Sequence, residues 1–152
     1  LQTEYWLQDP TNVSRLRGLG PEWWNNWDGW QRLVRVTQAA GVDFFGFTYG
    51  TPGDTRPMRF GKASFLLDWD GEGGAFIFAL TEPGDPSHPD WTIDLGRPSR
   101  AKVAVAPGVW TRRFERGRVI VNATTAPVTV AIDGVQRTIA STDALACART
   151  SA

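Results

Sequence analysis

A chain of 152 residues with sixteen basic and sixteen acidic side chains holds one domain or part of a larger one, and its balanced charge lacks the footprint of a nucleic-acid binder. No apolar stretch approaches the roughly 20 residues that a membrane span needs. One cysteine, Cys147, and one histidine, His88, exclude a disulfide framework, a cysteine metal cluster and a His-rich metal site.

Aromatic loading is the unusual feature: eight tryptophans, four of them between Trp23 and Trp30. Tryptophan fills cores, and it also stacks on planar or sugar-ring ligands. The opening residues, "LQTEYWL", read as the end of a buried strand carrying Glu4, Tyr5 and Trp6. There is no initial Met and no signal-peptide pattern, so the natural protein is expected to begin earlier. Asp9-Pro10-Thr11-Asn12 is turn chemistry, and a loop is expected to run on to Gly20.

A helix is expected from Pro21 to Ala40. Pro21 suits its first position and Glu22 its positive end. Trp23, Trp27, Trp30, Val34 and Thr37 recur at three- and four-residue steps and mark a face, widened by Leu33 and Val36. Trp27 and Trp30 read as core, whereas Trp23 and Trp24 could be partly exposed. Gly41 suits the C-terminal cap.

Val42 to Tyr49, "VDFFGFTY", is a continuous apolar run without alternation. It predicts a strand buried on both faces, as in a parallel sheet or a barrel wall. The Gly/Pro-rich loop after it holds Asp54 and Arg56. Met58 to Trp69 predicts a second helix with Phe60, Ala63, Leu66 and Leu67 inward. Gly74 to Leu80 predicts another buried strand, ending at Thr81-Glu82. The order strand, helix, strand, helix, strand argues for parallel βα units. Ligands and chemistry collect at the C-terminal ends of such strands.

The pattern changes after Pro83. A loop with four prolines and Trp91 leads to short alternating or β-branched runs at Lys102 to Ala106, Val109 to Phe114, Arg118 to Asn122, Val128 to Ile132 and Gln136 to Ile139. Asp133-Gly134 between two of them is a strong hairpin signal. Asn122 reads as a strand end, although Asn122-Ala123-Thr124 has the form of a glycosylation triplet. Residues from about Ser141 onward are small and polar and are expected to fray, leaving Cys147 as a spare thiol. The expected division is 1–100, 101–140 for an antiparallel β appendage, and 141–152 for a flexible tail.

"GVWTRRFERGRVIVNATTAPVTVAI" (Gly108 to Ile132) resembles the C-terminal segment of bacterial (β/α)8-barrel glycoside hydrolases, especially hypothetical glycosyl-hydrolase-like families. Trp110, Arg112, Arg113, Phe114, Gly117, Val119, Val121 and Asn122 carry the match; Ala123 stands where proline is usual. "FGKASFLLDWDGEGGAFIF" and "WTIDLGRP" are similar to the last barrel helix, last strand and following loop of those proteins. "EYW" resembles an earlier strand end whose Glu faces the cleft. The resemblance implies an α/β fold: a partial (β/α)8 (TIM) barrel, its C-terminal βα units followed by the small antiparallel appendage. A whole barrel takes about 250 residues, so this chain would be its last third to half.

The resemblance also implies action on a poly- or oligosaccharide by carboxylate acid/base chemistry. Such cleavage needs two carboxyl groups. Glu4 and Glu82, at strand ends on one rim, are the catalytic candidates, with Glu4 the stronger. Tyr5 and Trp6 beside Glu4 would lower the local polarity, which raises a carboxyl pKa. Glu4 could equally be a structural or sugar-binding carboxylate, and Glu82 a solvated turn residue with the second carboxyl expected in an N-terminal part of the protein before Leu1. Tyr5, Trp6, Tyr49, Asp54 and Trp91 are the candidate substrate-binding residues, each with plain packing or turn formation as the alternative; Arg56 and Arg59 could pair with Asp54. No cofactor and no metal are called for, and carbohydrate is the expected partner. The competing reading is a noncatalytic carbohydrate-binding or interaction module, and a fragment with half a cleft would be inactive alone.

Overall fold

The computed structural model describes residues 1–21 and 26–148. From the N-terminus the chain forms β1 (Gln2–Thr3), β2 (Gln8–Asp9), β3 (Asn12–Leu16), α1 (Trp27–Ala39), β4 (Phe45–Gly50), α2 (Arg56–Asp68) and β5 (Ala75–Leu80). A short α3 (Pro89–Thr92) precedes β6 (Val103–Ala106), β7 (Val109–Phe114), β8 (Gly117–Asn122), β9 (Val128–Ile132), β10 (Val135–Ile139) and β11 (Asp143–Ala148).

The layers are stacked around α2. Pro57 sits in its first turn, where the missing N–H has no partner to lose. Met58, Phe60, Gly61, Ala63, Phe65 and Leu67 are all buried, so the helix is apolar nearly all round. A helix of that kind must be covered on more than one side. One cover is a parallel sheet in the order β1-β4-β5. The other is an antiparallel sheet in the order β11-β8-β7-β6. One core runs through both, joining Trp6, Trp27 and Phe60 to Val119, Val121 and Ala144.

This arrangement overturns the partial (β/α)8 barrel. The described residues contain eleven strands and three helices, with the strands divided among four separate sheets. Only three strands are parallel, and no sheet closes. In a barrel the outer side of α2 would form part of an outer ring. Here that side is covered by an antiparallel sheet.

α1 starts later than Pro21. Asn26 is its N-cap, accepting from the Gly29 N–H at 2.9 Å. Expectations for Glu22, Trp23 and Trp24 fall outside the described residues. At the other end Gly41 takes φ +70°, donating to the Gln38 carbonyl, while Val42 donates back to Thr37. That is a Schellman cap, and it explains the glycine. The buried face is Trp27, Gln31, Val34 and Thr37. Val36, expected on that face, is 57% exposed. Trp27 Nε1 donates to Ser64 Oγ and Gln31 Nε2 to the Ser64 carbonyl, both at 3.0 Å, which pins α1 to α2.

β4 is not buried on both faces. Gly46, Thr48 and Gly50 are buried toward α2, whereas Phe45, Phe47 and Tyr49 are only half-buried on the opposite face. The glycines are there for the helix-side rings. A Cβ at Gly50 would lie 2.6 Å from the Phe78 ring, and one at Gly46 would lie 3.1 Å from Trp6.

Two strand regions escaped the sequence pattern. Residues 8–16, expected as turn and loop, form the β2–β3 hairpin around the turn at Asp9, whose carboxylate accepts from the Thr11 hydroxyl at 2.7 Å and its N–H at 2.9 Å. Within the stretch from Ser141 that is expected to fray, the described residues form β11, paired with β8 along its whole length. Its small side chains allow close approach to α2: Ala144 is fully buried. Arg59 fixes the junction through its 2.7 Å bond to Asp143.

The β9–β10 hairpin turns at Asp133-Gly134, with φ of 51° and 79°, as a two-residue primed turn requires. It lies across the outer face of the antiparallel sheet, where Val109, Ile120, Val130, Ile132 and Ile139 form a second core. Asn122 locks the corner. Fully buried, it shares its Nδ2 donors among the Ala126, Ile139 and Ala140 carbonyls and accepts from Thr124 through Oδ1.

Candidate functional site

The parallel registers bring the ends of β1, β4 and β5 to one rim. Thr3 pairs with Gly46, and Gly50 pairs with Leu80. Glu4 therefore follows β1 alongside the second half of β4. Thr81 donates its N–H to the Gly50 carbonyl at 2.9 Å, so Glu82 follows β5 on the same side.

Residues 4–8 do not continue β1 as a strand. Tyr5 and Leu7 adopt φ of 53° and 57°, the left-handed region that a non-glycine residue enters only at a cost. Specific bonds hold the segment there. Trp6 N–H donates to the Phe47 carbonyl at 2.7 Å, and Thr48 Oγ1 donates to the Trp6 carbonyl at 3.0 Å. Gln8, 2% exposed, completes the ladder with its side chain. Its Nε2 donates to the Tyr49 carbonyl at 2.6 Å and its Oε1 accepts the Tyr49 N–H at 2.8 Å. A side-chain amide thus supplies the donor and acceptor that a neighbouring strand would supply.

The kink separates neighbours in sequence. Trp6 turns into the core: fully buried, it meets Trp30 and Phe44 edge-on at 5.6 and 5.1 Å and donates Nε1 to the Gly61 carbonyl at 3.2 Å. Of the two roles open to it in sequence, packing or ligand contact, Trp6 takes the packing one and offers no ring face to a ligand. Glu4 stays exposed, so the apolar surroundings expected from Trp6 are absent. Tyr5 remains at the rim, its ring 5.1 Å from that of Tyr49 at an interplanar angle of 42°. Loss of hydration pushes the Tyr49 phenol up from its ordinary value, and the nearby Glu4 carboxylate and Tyr5 add to the shift. The arrangement is a carboxylate beside a protonated phenol, with a paired-ring surface next to it. It can accept and donate hydrogen bonds to a hydroxylated ligand.

Glu82 is exposed beyond β5. Asp54 serves α2: its Oδ1 accepts the Arg56 N–H at 3.1 Å. Neither expected arginine pairs its guanidinium with Asp54, since that of Arg56 donates to the Ser14 carbonyl and that of Arg59 binds Asp143. Trp91 packs edge-on against Phe76 at 5.7 Å, with the Lys62 ammonium over its ring at 5.6 Å. Lys62 also donates to the Asp90 and Trp91 carbonyls, holding α3 against α2. His88 caps α3 by accepting the Asp90 N–H.

The structural roles of Gln8 and Arg112 were not visible in sequence. Arg112 donates to the Leu66 carbonyl at 2.9 Å and the Trp69 carbonyl at 2.5 Å, so it caps the C-terminus of α2 from the neighbouring sheet. Alternation along β7 was the available signal: it puts Arg112 and Arg113 on opposite faces. Among the described residues, no group of three or more His, Cys, Asp or Glu side chains is placed to hold a metal ion. No described helix is long and apolar enough to cross a membrane.

The comparisons with known proteins bear on this rim. Residues 4–118 match the model of a family described as hypothetical glycosyl hydrolase family 15. The span takes in Glu4, both long helices, all of β7 and the start of β8. No curated protein matches the chain.

Proposed function

The chain belongs to hypothetical glycosyl hydrolase family 15, and from that premise we propose that it takes part in cleaving a glycosidic bond of a poly- or oligosaccharide at the rim formed by Glu4, Tyr5 and Tyr49. The observation that carries the reading is Glu4 itself, an accessible carboxylate at the C-terminal end of a parallel strand, next to a tyrosine pair. Glu4 acts as acid or nucleophile, and Glu82 on the same rim supplies the second carboxyl that such chemistry requires. Tyr5 and Tyr49 offer ring surface to a sugar, and the protonated Tyr49 hydroxyl donates to the substrate. Asp54 and Trp91 have structural partners and are left out of this set.

The test is Glu4→Gln in the intact protein, assayed by sugar release from a panel of oligosaccharides. The amide keeps the shape but cannot ionise or transfer a proton. The expected loss in kcat is at least roughly a hundredfold, the lower end for general acid–base help. A change confined to KM would make Glu4 a binding residue and support a noncatalytic sugar-binding module instead. Full activity with Gln at this position would end its claim to chemistry.

A further inference from the structure

Arg113 and Arg118 are direct partners across the antiparallel pair β7 and β8. Like charges placed opposite one another in this way repel. The pair is not resolved by solvation alone, because the Arg118 side chain is only 11% exposed. A single carboxylate, Asp133 in the β9–β10 turn, answers both arginines. It lies 3.0 Å from Arg113 Nη2 and 2.6 Å from Arg118 Nη2. Elsewhere Arg59, Arg97 and Arg116 each hold a carboxylate of their own.

The shared carboxylate stands at the junction of two grooves. One, of about 220 Å³, is lined by Arg113, Arg118, Asp133 and Arg137. The other, of about 360 Å³, is lined by Arg100, Arg113, Arg118 and Asp133. Arg100 and Arg137 make no side-chain ion pair among the described residues. Four guanidinium groups thus line two adjoining grooves that share one carboxylate. Asp133 engages one nitrogen each of Arg113 and Arg118, whereas a guanidinium has five N–H donors in a fork that fits a carboxylate.

We propose that this cleft binds the carboxylate groups of an acidic oligosaccharide. The anionic part of the assignment rests on the arginines, and the sugar part rests on the glycoside-processing reading above. Two adjoining grooves suit an extended chain with charges at intervals better than a lone ion. Asp133 holds Arg113 and Arg118 in position when the cleft is empty and competes with the incoming carboxylates. The cleft is on the face of the antiparallel sheet away from α2, whereas the rim of Glu4 belongs to the parallel sheet on the other side of that helix.

The test is calorimetric titration of the intact protein with oligogalacturonate, with its uncharged methyl ester, and with inorganic phosphate. Oligogalacturonate is expected to bind, and the ester to bind at least roughly tenfold more weakly, as loss of hydrogen bonds to charged groups implies. Arg137→Ala and Arg100→Ala should each weaken oligogalacturonate binding with an unchanged melting temperature. Asp133→Asn should tighten it by removing the competitor. Equal binding of acid and ester, indifference to both arginine variants, binding of phosphate alone, or preference for single-stranded nucleic acid would each overturn the proposal. Glu4-dependent cleavage of a neutral oligosaccharide by a protein that ignores oligogalacturonate would sink this inference and leave the catalytic reading intact; arginine-dependent binding without such cleavage would do the reverse.

Discussion

β4 and β8 carry similar apolar density but live in different surroundings. β8 is the strand enclosed on both faces: Val119 and Val121 point toward α2, and Ile120 points under the β9–β10 hairpin, all fully buried. β4, whose uninterrupted aromatic run reads as doubly buried, has one covered face and one half-open face bearing Phe45, Phe47 and Tyr49. Aromatic content therefore does not measure enclosure. In β4 the rings stand on the open side because glycines occupy the helix side. The closed region is where side chains hold the fold together, and the open one is where side chains remain available to a ligand.

That contrast can be broken by a matched pair of truncations. Ile120→Ala empties a site between two layers and is expected to cost about 2–5 kcal/mol. Ile77→Ala, on the half-buried β5 beside Phe47, removes the same atoms where they are partly wet. It should cost less than about half as much, because less apolar surface returns to water. Denaturant midpoints of the two variants check this directly, and equal losses would mean that the β4–β5 face is enclosed after all.

A smaller effect sharpens the boundary between the regions. Gly61 lets α2 lie close against the parallel sheet: an added Cβ would meet the Phe76 ring at 2.6 Å and Thr48 Oγ1 at 2.8 Å. Gly61→Ala removes a flexible residue from a helix interior, which by itself favours folding by up to about 1 kcal/mol. Overpacking costs about 1–3 kcal/mol and should dominate. A melting temperature above that of the parent protein would show that the ring and the hydroxyl have room to retreat.

Both long helices, the two longer parallel strands and five of the eight antiparallel strands were legible in sequence, because each is bounded by its own turn chemistry. Asp133-Gly134 and Gly41 act through left-handed backbone angles that glycine and Asp-Gly pairs supply. What was not legible depends on partners distant in sequence. β11 is a run of small residues whose strand character comes from β8 beside it and α2 beneath it. The β2–β3 hairpin is too short for a period to emerge. Gln8 acts as a strand neighbour to Tyr49 only because two left-handed residues turn it there. The same kink explains the split fate of the candidate site: Glu4 and Tyr5 stay at the rim, while Trp6, one residue later, is in the core. Arg113 and Arg118 were readable in principle, since the tight turn at Glu115-Arg116 places them opposite one another.

The most direct test of the account is whether Glu4 and Tyr49 sense each other. The chain has two tyrosines, so Tyr5→Phe leaves Tyr49 as the one phenol to follow by phenolate absorbance. Loss of hydration first, then the Glu4 carboxylate, should hold its midpoint above the ordinary 10.0. Because the folded value is the higher one, the folded state keeps the proton that the unfolded chain loses above pH 10.0. The associated stability is complete below that pH and is lost as pH rises through the folded value. Adding Glu4→Gln should move the midpoint down, though not fully to 10.0, since the loss of hydration remains. A midpoint at the ordinary value, or one that Glu4→Gln leaves in place, would contradict the rim on which the proposed function rests.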